Sequence, residues 1–150
     1  MMNPREILRT AGSVLVIDWP SRDVPESLAL AGLRVVVRGG PGAEDFSAYE
    51  VNEGAVVSRR IGRPPERIDL IYSHRPLSEL AGIVATAKEV HAKAIWTQSG
   101  LSAADAKDPR GCWDDAEDLA AARRLVESAG IQYVSQPYIG DVAREIQSPR

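Results

Sequence analysis

The sequence predicts an α/β fold: a mostly parallel sheet of five strands with a helical layer on each face. Three observations carry that prediction. Short apolar runs recur from residue 13 to residue 135, and they are largely continuous rather than alternating, as expected of strands covered on both faces. Between most of them lie stretches with apolar residues at helical spacing. Strand and helix therefore alternate, a pattern that implies right-handed crossovers and a parallel sheet.

The elements follow in order. Asn3, Pro4 and Glu6 read as N-cap, N1 and N3 of a short helix that buries Ile7 and Leu8 and ends near Ala11 and Gly12. Residues 13–18 (SVLVID) form the first strand, broken by Trp19 and Pro20. A short helix over 25–31 is stopped by Gly32. Residues 33–38 (LRVVVR) form the second strand, and Gly39, Gly40, Pro41 and Gly42 force a turn. Residues 43–66 are the least regular part, with a helical turn expected over 43–50 and a short extended piece over 55–58. The third strand is 68–73 (IDLIYS). A helix runs from Pro76 to about His91, with Leu77, Leu80, Val84, Ala87 and Val90 as its apolar stripe. The fourth strand is 93–98 (KAIWTQ), ended by Ser99 and Gly100. The clearest helix is 114–129, with Leu119, Ala122, Val126 and Ala129 inward and Gly130 as its cap. Residues 131–135 form the fifth strand, and a closing helix over 139–146 turns Ile139, Val142 and Ile146 inward.

Composition narrows the function. At 150 residues, 44% hydrophobic and 26% charged, the chain has the size and make-up of one soluble globular domain. A net charge of −3 offers no basic field for nucleic acid or an anionic membrane. The start of the chain does not read as a signal peptide, and no apolar run has membrane-spanning length. One cysteine, Cys112, excludes an intrachain disulfide or a cysteine-based zinc site and fits a cytoplasmic location. The two histidines exclude a multi-histidine metal cluster, so no metal site is expected. No Gly-x-x-x-x-Gly-Lys-Ser/Thr motif is present.

In a parallel sheet of this kind, ligands sit beyond the carboxyl ends of the strands. After the first strand, Arg22 offers a guanidinium fork to a phosphate, or is a surface arginine bonded to Asp18 or Asp23. After the second, Arg38, Gly39 and Gly40 either face a ribose phosphate or form a plain turn. After the third come Ser73, His74 and Arg75. His74 has the pKa range of a general base, but no partner carboxylate or nucleophile adjoins it in sequence, and the wall of a ligand cleft is the better reading. After the fourth strand, Trp96 reads as core, whereas Gln98, Ser99 and Gly100 read as ligand contacts. His91, at a helix end, reads as structural. Residues 102–114 form a long connection, either a surface insertion or a segment that closes over a ligand or docks a partner. Cys112 lies in it with no flanking base, so no catalytic residue is assigned.

The strand-end segments also carry a resemblance. Residues 69–76 (DLIYSHRP), followed after one helix by 92–100 (AKAIWTQSG), resemble the small stand-alone CoA-binding proteins, whose Rossmann-like domain is shared with the α subunit of succinyl-CoA synthetase. The likeness covers about residues 13–136. It implies a single Rossmann-like domain over residues 1–150 that binds CoA, with Ser21 and Arg22 at the family's small-residue and arginine positions. Two places depart from the family. Asp18 and Trp19 stand where it usually has a glycine, and Gln136, Pro137 and Tyr138 stand where it has Asp-Arg-Cys.

Three functions follow as expectations. The first is a CoA- or acyl-CoA-binding protein that is not an enzyme by itself. The second is a component of an acyl-CoA synthetase-type complex. The resemblance implies a phosphohistidine-bearing domain for that chemistry, which this chain would need from a partner subunit. The third is a degenerate scaffold used for protein interaction, motivated by Asp18 and Trp19. Homo-oligomerisation is left open by the sequence.

Overall fold

The computed structural model describes residues 2–18, 22–40, 42, 45–97 and 116–147. Its strands are β1 (Ser13–Ile17), β2 (Arg34–Arg38), β3 (Phe46–Asn52), β4 (Ala55–Arg60), β5 (Leu70–Ser73), β6 (Ala94–Thr97) and β7 (Gln132–Val134). Its helices are α1 (Pro4–Thr10), α2 (Asp23–Leu30), α3 (Leu80–Val90), α4 (Ala116–Glu127) and α5 (Ile139–Gln147), with a 3-10 turn at Leu77–Glu79.

The α/β class stands, but the sheet has seven strands, not five, in the order β4-β3-β2-β1-β5-β6-β7. The two extra strands come from the region read as irregular. Where a helical turn was expected over 43–50, β3 pairs antiparallel with β2, and β4 pairs antiparallel with β3. The hairpin turns at Glu53 and Gly54, both with positive φ. Phe46 and Ala48 are buried and alternate with half-buried Ser47 and Tyr49, which is strand periodicity. The remaining strands are parallel as predicted.

Apolar residues on the two faces of the sheet form two cores. On one face Val14, Val16, Val35 and Trp96 pack with residues of α1, α2 and α5. On the other Leu15, Ile17, Val36 and Ile95 pack with residues of α3 and α4. All five residues of β1 are buried, which is why its sequence shows no alternation. The α1 start is a complete capping box between Asn3 and Glu6. The helix expected from Pro76 begins instead as the 3-10 turn, and regular α-helix starts only at Leu80. The α3 helix ends on His91 in the left-handed conformation, so His91 has the structural role expected of it. No described helix is long and apolar enough to cross a membrane.

The segment after β7 is pinned by Tyr138, which is fully buried and donates its hydroxyl hydrogen to Asp23 Oδ2 at 3.2 Å. A Cβ on Gly140 would lie 2.7 Å from Tyr138 Cε2. The ring cannot give way without repacking the core. Gly140→Ala is therefore expected to destabilise the fold by about 1–3 kcal/mol, the range for overpacking. Urea unfolding of the variant checks this, and an unchanged midpoint would mean that the ring moves freely.

Candidate functional site

The winding of the chain reverses at β1, which lies between β2 on one side and β5 on the other. The carboxyl ends of these three strands are tied together by backbone hydrogen bonds. Asp18 N donates to Arg38 O at 3.1 Å, and His74 N donates to Ile17 O at 3.0 Å. Arg38, Asp18 and His74 thus stand side by side at the switch point, where an open α/β sheet leaves a crevice.

Four charged side chains gather there. Arg75 Nη1 donates to Asp18 Oδ2 at 2.6 Å, and Arg75 also forks onto the Glu79 carboxylate. Ser73 Oγ accepts from Arg75 N at 3.1 Å and fixes the turn out of β5. The hydrogen bonds to Glu79 and then Asp18 raise the Arg75 pKa, so its charge is permanent. Glu79 is held below the usual glutamate range, first by its hydrogen bond to Arg75, with a smaller contribution from the charge of Arg38. The stabilisation from this lowering is present above the ordinary glutamate pKa and is lost as pH falls through the folded value. Arg38 completes the group. Its Nε is buried and has no hydrogen-bond partner among the described residues. A buried donor left without an acceptor costs roughly 1–3 kcal/mol.

Asp18, the residue after β1, has φ of 62°. Asp tolerates this region better than most residues, though a glycine would bear it without strain. Its charge is met by Arg75, an internal counter-ion at the strand end.

The predicted site residues divide into four groups. Arg38, Ser73, His74 and Arg75 come together at the switch point. Gly39 adjoins them, and a Cβ there would meet nothing within 4 Å. Gly40 has a local structural reason: a Cβ would lie 2.7 Å from Asp45 Oδ2, in the turn that Asp45 closes by accepting from Gly42 N. Arg22 sits at the N-cap of α2 and bonds Glu26 at 2.9 Å, with its guanidinium 5.2 Å from the Tyr49 ring centroid. Its acidic partner is thus Glu26, where the sequence suggested Asp18 or Asp23. Ser21, Gln98, Ser99, Gly100 and the 102–114 connection lie outside the described residues, as do Trp19 and Cys112. Trp96 is core, as read from the sequence, and is fully buried.

Sequence reasoning missed Glu79 and Tyr49. Glu79 was detectable, since it lies four residues after Arg75 on a helical stretch. Tyr49 was hidden by the misreading of β3 as helical. Among the described residues no three His, Cys, Asp or Glu side chains are grouped to hold a metal ion.

Known proteins share this architecture. One solved structure, the crystal structure of Prb, described as PH1109 protein redesigned for binding, aligns over 98% of this chain and 92% of its own, with a TM-score of 0.59 and 18% identity. A second, cell-free ID.343 from Thermus thermophilus, aligns over 97% and 99% respectively, with a TM-score of 0.59 and 19% identity. At these identities the likeness is one of fold. No curated protein matches the chain significantly. The profile of the CoA binding domain family matches residues 11–140, a span from the start of β1 to the start of α5 that contains the switch point. The chain belongs to the CoA-binding domain family.

Proposed function

We propose that this protein binds CoA or acyl-CoA at the carboxyl ends of β1, β2 and β5 and carries out no chemistry by itself. The observation that carries the reading is Arg38. It ends β2 beside the switch point with a buried Nε that lacks an acceptor among the described residues. A phosphate oxygen is the acceptor that a guanidinium fork fits. Arg75 provides a second permanent cation across the crevice, and Gly39 leaves room for close approach. Arg22, Ser21 and the segment 98–100 complete the proposed contacts. Asp18 and Glu79 both pair with Arg75, which suits holding and orienting a ligand rather than proton transfer by these two acids. Calorimetric titration of CoA into the protein tests the reading. Saturable binding with a raised thermal midpoint is expected, and no heat and no shift at millimolar CoA would refute it.

One observation favours a second reading, an interaction module on a Rossmann-like scaffold. Asp18 places a negative charge at the strand end and ties up Arg75. The two readings part on Asp18→Gly. If phosphates pass this loop, the substitution removes a repelling charge, frees Arg75 and suits the backbone at φ of 62°. CoA affinity is then expected to rise about tenfold, or about 1.4 kcal/mol. Unchanged or weaker CoA binding in the variant would favour the interaction module.

A further inference from the structure

A separate groove lies on the hairpin side of the sheet, away from the strand-end crevice. Alternation puts Arg34 and Val36 on one face of β2, and the pairing continues that row through Ala48 on β3 to Arg59 on β4. The chain after β4 then runs past this face to Arg67, enclosing a cavity of about 460 Å³. That volume is within the usual range for small-ligand sites.

The lining is unusual for this molecule. Arg34, Arg59, Arg63 and Arg67 converge on it, against Glu50 and Glu66. Arg59 and Glu50 neutralise one another at 2.7 Å. Arg34 Nη2 donates to Arg67 O at 3.0 Å, which fixes one guanidinium and ties the enclosing segment to β2. Three cations therefore remain against Glu66, and none of Arg34, Arg63 and Arg67 has a carboxylate partner among the described residues. The chain as a whole carries −3, so this excess is local rather than a by-product of a basic protein. Like charges gathered around one cavity repel, and an anion between them relieves that repulsion. Val36, Ala48 and the two prolines Pro64 and Pro65 give the groove an apolar part as well.

We propose that this groove is a second ligand site, which takes a small organic molecule carrying two or more oxyanion charges. Guanidinium forks from Arg34, Arg63 and Arg67 meet the charged oxygens, and the apolar part meets a short carbon body. Carboxylate and phosphate share this chemistry, and two probes separate them.

The test is calorimetric titration of the intact chain at low ionic strength, with citrate and with pyrophosphate in turn. Saturable binding of at least one probe is expected at millimolar concentration. Binding of citrate alone identifies a carboxylate ligand, and binding of pyrophosphate alone a phosphate ligand. The double substitution Arg63→Gln with Arg67→Gln is expected to weaken binding at least about tenfold, since each lost charge-assisted bond is worth about that factor. Both side chains are exposed, so the unliganded thermal midpoint should hold. Pyrophosphate can also meet Arg38 in the strand-end crevice, so binding at the groove is read as the binding that persists in Arg38→Ala. The proposal is overturned if neither probe binds, if the double variant binds like the parent, or if Arg38→Ala abolishes binding. In the last case the probe occupies the strand-end crevice instead.

Discussion

Removing both switch-point cations, by Arg38→Ala with Arg75→Ala, is expected to weaken CoA binding about a hundredfold or more. Each charge-assisted bond between a guanidinium and a phosphate contributes about 1.5–3 kcal/mol net, and about 1.4 kcal/mol corresponds to a tenfold change in affinity. The two changes differ in their other consequences. Arg38→Ala removes a buried N–H that lacks a partner among the described residues, so it relieves a cost in the free protein. Arg75→Ala strands Asp18 and Glu79 without their shared counter-ion. Both acids are partly exposed, so water compensates and the fold survives. Arg75→Lys is expected to recover only part of the affinity, because an ammonium cannot fork between two acceptors. Calorimetric titration of the parent, both single variants and the double variant measures the effect. Parent-like affinity in the double variant would remove the phosphate role of these residues.

Trp96→Ala is expected to destabilise the fold by about 3–5 kcal/mol, the range for truncating a buried large aromatic residue. Trp96 is fully buried in the middle of β6, flanked by Tyr72 on β5 and Val134 on β7. Its ring packs in the same core as α2 and α5 residues, so truncation opens a cavity that a rigid sheet cannot collapse. The indole also donates to Pro137 O at 3.0 Å and holds the segment leading into α5. Against a typical stability of about 5–15 kcal/mol, such a loss is a large fraction of the whole. Trp96→Phe keeps much of the volume and loses the hydrogen bond, so a smaller cost is expected. Denaturant unfolding measures both variants. A loss below about 1 kcal/mol for Trp96→Ala would show that this part of the sheet is loosely packed.

Much of the fold was legible because burial wrote itself into the pattern. The parallel strands are apolar on both faces, and their ends carry glycines or polar residues, as at Gly12 before β1 and Gly39 after β2. The hairpin was not legible. Its strands read FSAYEVN and AVVSRR, and the second half of β3 and all of β4 but Val56 are exposed, so no hydrophobic period extends through them. The cue was Asn52-Glu53-Gly54, where β3 ends and the chain turns, with strand-forming residues on both sides. For the site, strand-end position was readable and placed Arg38, His74 and Arg75 together. Side-chain partnerships were not readable, because they depend on register. That Asp18 meets Arg75, and that Arg22 lies over Tyr49, follows from how β1, β5, α2 and β3 are set against one another, whereas the Arg22–Glu26 pair is a local i,i+4 contact.

Backbone amide chemical shifts of the protein during CoA titration test the central claim most directly. Shifts are expected at Asp18, Arg38, Gly39, His74 and Arg75, the ends of the three strands around the switch point, with Arg38→Ala reducing them at equal CoA. Shifts confined to residues 59–67, or no shifts at saturating CoA, would contradict binding at the carboxyl ends of the sheet.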